Sequence, residues 1–150
     1  MSEPITYEVE VYPKGAKYWR LNGKLHREDG PAIEWANGDK SWYLNGKRHR
    51  EDGPAIEWAN GTKHWFLNNE LDREDGPAVE YANGDKIWYL NNKRHREDGP
   101  AVEYADGVKC WFLNGNELTE AEFNKKLKKP CNNKVIEIDG IKYRLTIVGD

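Results

Sequence analysis

A 23-residue repeat governs this sequence, because one short run recurs at a fixed interval. The run Arg-Glu-Asp-Gly-Pro-Ala begins at Arg27, Arg50, Arg73 and Arg96, which define units one to four. A tryptophan keeps the same interval, at Trp19, Trp42, Trp65, Trp88 and Trp111. A fixed period of roughly 20 to 50 residues is typical of stacked repeat architectures. Residues that every unit requires are expected to serve the stacking, which argues against a catalytic site built from them.

The composition fits a small soluble protein and disfavours a nucleic-acid binder. The chain has 150 residues, a formal net charge of −3 and 33% charged residues. Nucleic-acid binders usually carry a clear basic excess, which this chain lacks. Hydrophobic residues make up only 37%, but seven Trp, eight Tyr and three Phe provide large side chains for a core. We therefore expect one domain, or one repeat array with caps.

The sequence also indicates a cytoplasmic location. It opens without a basic region followed by an apolar run, so no signal peptide is expected. No stretch approaches the roughly 20 apolar residues of a membrane span, so no membrane is expected as a partner. Cys110 and Cys131 lack the spacing of a disulfide framework, which fits a reducing compartment.

One repeat, residues 40–63, has the pattern of a hairpin with two main strands. Residues 40–44 alternate in character and are rich in aromatic side chains, which predicts a strand. Asn45-Gly46 predicts a tight hairpin turn. The Asp-Gly-Pro run predicts another turn, in which Gly53 is able to take positive φ, before a second strand over residues 54–58. Two strands per repeat, each about 4.8 Å apart, would advance the stack by roughly 10 Å.

These units predict an all-β fold, a single-layer β-hairpin solenoid of 23-residue repeats with atypical ends. Residues 1–17 are expected to form an N-terminal cap or half-repeat. Residues 18–115 are expected to form four to five repeats. Residues 116–150 are expected to form a C-terminal cap made of a short helix and a β-hairpin.

Local signals define this C-terminal cap. Thr119 and Glu122 have the spacing of a capping box, so a short helix would begin there and run to Lys129, before Pro130. Residues 135–138 and 141–147 flank an Asp-Gly pair, which predicts a terminal hairpin. Such ends cover an exposed sheet edge, and the hairpin also leaves a homodimer by edge pairing open.

The pattern within each unit resembles a known repeat family. The run Trp-Tyr-Leu-Asn-Gly-Lys-Arg-His, followed by a glycine and an aromatic-Ala-(Asn/Asp)-Gly ending, is similar to divergent MORN-type repeats. The resemblance covers about residues 7–115 and departs from the family at the Arg-Glu-Asp segment, where the usual repeat has a Gly-rich pair. The array and its tail also resemble uncharacterised repeat proteins of large bacteriophages and giant viruses. The resemblance implies binding and scaffolding, and host cytoplasm for a viral protein.

Histidines recur at one repeat position, with an acid in unit three: His26, His49, Asp72 and His95. A metal ion needs ligand atoms that converge to within about 2.0–2.2 Å. Equivalent side chains in a stack stand roughly 10 Å apart. We therefore predict no metal site and a histidine column that stabilises a loop.

The Arg-Glu-Asp triples could be catalytic carboxylates, but four copies of an acid/base site would be redundant. We predict instead that each arginine pairs with acids of the same or an adjacent turn, forming a ladder that fixes the register. The sequence has neither a Gly-rich phosphate loop nor a serine nucleophile motif. The prediction is therefore no enzyme, no catalytic residue and no cofactor.

A second aromatic column is a candidate binding surface: Tyr43, Phe66, Tyr89 and Phe112. Interleaved with Arg48 and Arg94, it could stack bases or a small ligand. The alternative is a second hydrophobic layer, because exposed aromatic stripes of this size are uncommon on soluble monomers. Both interpretations stay open at this point.

Unit three breaks the pattern in a way that changes charge. His64, Asn69, Glu70 and Asp72 stand where unit two has Ser41, Gly46, Lys47 and His49. This creates an acidic notch between two basic turns, and a partner with a fixed footprint could use the asymmetry. Drift at solvated turns would give the same pattern.

Taken together, the patterns predict a non-enzymatic protein-binding repeat module with a protein partner. The viral resemblance adds a phage-encoded inhibitor of a bacterial host protein, such as one of host defence. A small-molecule or nucleotide sponge is the first alternative, and a nucleic-acid-binding protein is the second.

Overall fold

The structure is a computed structural model of the chain. It describes residues 6–127 and, as backbone, residues 134–138 and 141–145. Short antiparallel strands make up most of the regular structure.

The strands follow the repeats along the chain, and most of them contain two residues. The N-terminal strands are β1 (Glu8–Val11), β2 (Lys17–Leu21), β3 (Lys24–Leu25) and β4 (Ile33–Glu34). Then come β5 (Lys40–Ser41), β6 (Tyr43–Leu44), β7 (Lys47–Arg48) and β8 (Ile56–Glu57). The next group is β9 (Lys63–His64), β10 (Phe66–Leu67), β11 (Glu70–Leu71) and β12 (Val79–Glu80). It is followed by β13 (Lys86–Ile87), β14 (Tyr89–Leu90), β15 (Lys93–Arg94) and β16 (Val102–Glu103). The C-terminal elements are β17 (Lys109–Leu113), β18 (Asn116–Leu118), α1 (Glu120–Leu127), β19 (Lys134–Ile138) and β20 (Ile141–Leu145).

Twelve strands form one antiparallel sheet whose order follows the chain. The order is β1-β2-β4-β5-β8-β9-β12-β13-β16-β17-β18, with β3 paired to β2. Three separate hairpins belong to units two to four: β6–β7, β10–β11 and β14–β15. The prediction of an all-β fold with a short C-terminal helix is confirmed.

The first strand of each internal unit is broken at its tryptophan. Trp42 donates its backbone N–H to the carbonyl of Ala55 at 2.8 Å, and its own carbonyl accepts the N–H of His49 at 3.2 Å. The first bond extends the β5–β8 pairing to Trp42, and the second joins Trp42 to the β6–β7 hairpin, so the pairing partner of the chain changes at this residue. The predicted single strand over residues 40–44 is therefore wrong at Trp42. The predicted second strand, residues 54–58, is shorter than expected, because only β8 pairs.

The predicted hairpin turns are confirmed by their backbone angles. Asn45 and Gly46 have φ of 52° and 81°, in the left-handed region that a two-residue hairpin loop requires. Unit three has asparagine at both turn positions, with φ of 53° at Asn68 and 72° at Asn69. Asparagine tolerates this region better than other residues with a Cβ.

A line of mostly apolar residues crosses the main sheet and builds the core. Cross-strand pairing places these residues opposite one another: Tyr18, Ile33, Ser41, Ile56, His64, Val79, Ile87, Val102 and Cys110. The alanine that ends each repeated run is fully buried at Ala32, Ala55, Ala78 and Ala101. Each alanine carbonyl accepts the tryptophan N–H of its own unit at 2.8 Å. A larger side chain at the alanine would have to displace this packing.

The C-terminal helix begins at the predicted capping box. The hydroxyl of Thr119 accepts the backbone N–H of Glu122 at 3.2 Å, and the Glu122 carboxylate accepts the N–H of Thr119 at 2.8 Å. The predicted helix end at Lys129 lies outside the described residues. Strands β19 and β20 pair antiparallel, which confirms the terminal hairpin at the level of the backbone. None of the described helices is long and apolar enough to cross a bilayer.

Candidate functional site

Each Arg-Glu-Asp turn is organised around its arginine. The Cζ of Arg50 lies 4.1 Å from the ring centroid of Trp42. Its Nε donates to Asp52 at 2.8 Å, and its Nη1 donates to the carbonyl of Pro54 at 3.2 Å and to Glu57 at 3.0 Å. The planar guanidinium suits this combination of a stacked ring and several acceptors. The stacking recurs at Arg27, Arg73 and Arg96.

The acids of the turn pair with this arginine, and the glycine leaves space for it. The predicted pairing of Arg50 with an acid of its own turn is confirmed, but within residues 6–127 no ion pair joins one turn to the next. The hydrogen bond and the charge of Arg50 hold the pKa of Asp52 below its usual value. Gly53 does not use the positive φ that a glycine allows. Instead it provides space, since a Cβ there would lie 2.9 Å from the Cζ of Arg50.

Each histidine of the column ties its own unit to the next. Nδ1 of His26 accepts the backbone N–H of Asn45 at 3.0 Å, and His95 binds Asn114 in the same way. The prediction that these histidines stabilise a loop is therefore confirmed. In unit three, the Oδ1 atom of Asp72 is buried without a hydrogen-bond partner. Among the described residues, no three His, Cys, Asp or Glu side chains cluster closely enough to hold a metal ion.

Three grooves separate the four Arg-Glu-Asp turns, and we call them the turn grooves. The first, between the turns of units one and two, has a volume of about 570 Å³. The middle groove, between units two and three, is also about 570 Å³, and the third is about 640 Å³. One tryptophan lines each groove: Trp42, Trp65 and Trp88. Each groove is therefore a concave surface with an aromatic floor, repeated at the interval of the units.

The rims of the turn grooves carry exposed carboxylates. The side chains of Glu51 and Asp52 are both 84% exposed. Glu51 approaches Nε2 of His49 at 3.5 Å, while Asp52 binds Arg50. No local pattern in the sequence predicts these grooves. The usable signal was a Glu-Asp pair that recurs at the same interval as the tryptophan.

The predicted aromatic column has one buried member and three partly exposed ones. Phe112 is buried in the core, while Tyr43, Phe66 and Tyr89 are half-buried. The Cζ of Arg48 lies 5.5 Å from the ring centroid of Phe66.

The second predicted arginine, Arg94, is placed in the same way, with its Cζ 5.3 Å from the ring centroid of Phe112. A hydrogen bond with Tyr89 raises the pKa of Arg94. The structure thus brings the predicted arginines and rings together, and the arginines cover part of the surface on which a ligand would stack.

His64 lies among aromatic rings on the main sheet. Its ring centroid is 4.4 Å from that of Trp58, 5.8 Å from that of Tyr81 and 6.2 Å from that of Phe66. Burial, assisted by the positive charge of Arg48, lowers the pKa of His64. Its Nε2 atom is buried without a hydrogen-bond partner. His64 is thus part of the packed aromatic layer.

The two predicted acids of unit three lie in different places. Glu70 is exposed on the β10–β11 hairpin, whereas Asp72 lines the middle turn groove. The hairpin that carries Glu70 contacts the hairpin that carries Arg48. Asn69 donates its backbone N–H to the Arg48 carbonyl at 2.9 Å. The amide oxygen of Asn69 also accepts the Arg48 N–H at 2.7 Å. The acidic hairpin therefore lies next to a basic one, as the notch prediction requires.

No protein-family model and no curated protein matches the chain. The turn grooves and the hairpins beside them are the candidate binding surfaces of the described residues.

Proposed function

We propose that this chain is a non-enzymatic protein-binding module, built as a hairpin solenoid of MORN-like repeats. The observation that carries the proposal is the row of three turn grooves with nearly the same lining. In a repeat array each unit offers the same contact at the next position, which produces an extended binding surface. The pairing of strands in chain order supports the solenoid.

The polar groups of the turns favour binding over catalysis. Arg50 is engaged by a ring, two carboxylates and a carbonyl, so its guanidinium serves the fold. A general acid or base works best with a pKa near the operating pH. The pKa of Asp52 is instead lowered, away from neutrality.

The two alternative functions, a small-molecule or nucleotide sponge and a nucleic-acid-binding protein, have weaker support. Arg48 lies over Phe66 and Arg94 over Phe112, which reduces the ring surface on which a base or small ligand could stack. The turn grooves have acidic rims, and a polyphosphate or a nucleic acid backbone would be repelled there. A protein surface with cationic groups has no such penalty.

The identity of the partner rests on the resemblance to repeat proteins of large bacteriophages and giant viruses. On that basis we propose a bacterial host protein as the partner, one of host defence, bound in the host cytoplasm. Binding would inhibit or redirect it.

Affinity capture from bacterial lysate, followed by reconstitution with the purified partner, tests this proposal. We expect a complex of fixed stoichiometry in calorimetry and no turnover of substrate by the chain alone. A thermal-shift panel of nucleotides provides the contrast. A shift of several degrees with a nucleotide, together with no stoichiometric protein complex, would contradict the proposal and favour the sponge.

A further inference from the structure

The turn grooves combine an apolar floor with a charge that their own arginines do not neutralise. In the middle groove, Trp65 and Leu67 form part of the lining below the two turns. Aromatic and aliphatic surface of this kind accepts the methylene stem of a lysine or arginine. A tryptophan ring also attracts the cationic head group. Arg73 already stacks on Trp65, with its Cζ 4.1 Å from the ring centroid. Trp65 is half-buried and still lines the groove, so an incoming side chain would contact the part of the ring that Arg73 leaves uncovered.

The charge of each groove complements a cation. Two arginines and four carboxylates from the adjoining turns line the first groove, which leaves it with a charge of −2. The same count holds for the third groove. Asp72 adds a further carboxylate to the middle groove and brings it to −3. Its Oδ1 is buried without a hydrogen-bond partner, so no neighbouring donor offsets the charge at that atom.

The spacing of the grooves selects a backbone conformation for the partner. Each unit contributes two strands to the main sheet, and two strand spacings amount to about 9.6 Å. A polyproline II helix rises about 9.3 Å in three residues and returns to the same side each time. An extended strand repeats one face about every 6.8 Å. An α-helix needs seven residues, about 10.5 Å, for two turns. Of the three conformations, the polyproline II helix has the repeat length closest to the distance between neighbouring grooves, so its side chains stay aligned with three successive grooves.

We propose that the three turn grooves bind a cationic peptide in the polyproline II conformation, with lysine or arginine at every third residue. This inference rests on the proposed protein-binding function and gives the chemistry of the partner. Each cationic side chain enters one groove, with its stem on the tryptophan and its head group between the carboxylates of two turns. Asp72 makes the middle groove the principal anchor.

The first test compares two peptides of the same composition. One consists of four Lys-Pro-Pro triplets, and the other separates its lysines by one and three prolines in alternation. Tryptophan fluorescence of the full chain reports binding, because a tryptophan lines each groove. We expect the triplet peptide to bind at least about tenfold more tightly, a difference of roughly 1.4 kcal/mol, and to weaken as salt is added. Equal affinities, or tighter binding of a helical peptide with lysine at every seventh residue, would overturn the proposal.

The second test reverses acids of the middle groove and compares this variant with a control that has the same net charge. The double variant E51K/E74K reverses one exposed acid on each side of the middle groove. The control E8K/E117K makes the same change of charge at exposed acids outside the grooves. We expect the groove variant to bind the triplet peptide at least about tenfold more weakly than the control. If the reversal lowers the unfolding temperature, E51Q/E74Q replaces it, with an expected weakening of about threefold.

Substitution of Asp72 separates binding from folding. We expect Asp72→His to bind the triplet peptide several-fold more weakly without a loss of folding stability, a combination that a purely structural aspartate would not give. Unchanged affinity would overturn the role of the middle groove. If the captured host protein binds E51K/E74K as well as it binds the original chain, and the triplet peptide does not bind, this inference fails while the proposed function stands.

Discussion

His49 and Asn68 are joined across a boundary between units, because Nδ1 of His49 accepts the backbone N–H of Asn68 at 3.2 Å. The bond links the loop of unit two to the hairpin of unit three. It shows why the histidine recurs, and it makes the aspartate at the equivalent position of unit three a testable exception.

Asp72→His is expected to stabilise the protein. The imidazole would supply an acceptor for the hairpin N–H of unit four and would remove a buried carboxylate oxygen that has no partner. A hydrogen bond of this kind contributes about 0.5–1.5 kcal/mol to the free energy of unfolding. Equilibrium denaturation in urea measures the change. The reverse substitution, His49→Asp, is expected to destabilise by a similar amount, and the same sign for both variants would refute the explanation.

Arg50→Lys is expected to lower the free energy of unfolding by about 1–2 kcal/mol. Lysine keeps the charge but cannot stack flat on Trp42 while donating to the Pro54 carbonyl as well. Arg48→Lys serves as the control, because Arg48 is exposed and its Cζ lies 5.5 Å from its ring. Chemical denaturation of both variants is the measurement. Equal effects at the two positions would show that charge alone matters.

Stability is expected to decrease as the pH falls below about 6.5, through His64. Burial lowers the pKa of His64 in the folded state below its ordinary value of 6.5. The unfolded chain therefore binds more protons than the folded chain between these two pKa values, and acid favours unfolding there. His64→Ser, which copies Ser41 of unit two, should lose this part of the pH dependence. Urea midpoints at pH 7.5 and pH 5.5 test the difference, and identical pH dependence in the two proteins would contradict it.

Ala78→Leu is expected to destabilise the protein by about 1–3 kcal/mol, since overpacking a filled site forces its surroundings apart. Ala78 is fully buried, and its carbonyl accepts the Trp65 N–H at 2.8 Å. The control is Ala82→Leu at an exposed position four residues later. Thermal unfolding compares the two variants, and a harmless Ala78→Leu would show that the turn has space to yield.

Local signals in the sequence predicted the elements that depend on neighbouring residues. Asn45-Gly46 adopts the angles of the expected hairpin turn, and Thr119 caps α1 through Glu122. In both cases the residues involved lie within about one turn of chain, so their types fix the geometry.

The features that the sequence did not reveal depend on residues that meet only after folding. Arg50 and Trp42 are eight positions apart and meet across the hairpin that separates them. The break of the strand at Trp42 follows from its bonds to Ala55 and His49, which no pattern of alternation contains. The need for Gly53 also comes from this packing, since the arginine occupies the space of its missing Cβ.

The bond from each histidine reaches only the following unit, as His26 to Asn45 and His95 to Asn114 illustrate. A gene that gained or lost 23 codons in register would therefore encode a protein with the same junctions and one groove more or fewer. Under the proposed mode of binding, each such duplication lengthens the recognised peptide by three residues. Copy number would then tune avidity in discrete steps, because every added contact forms within an already tethered complex.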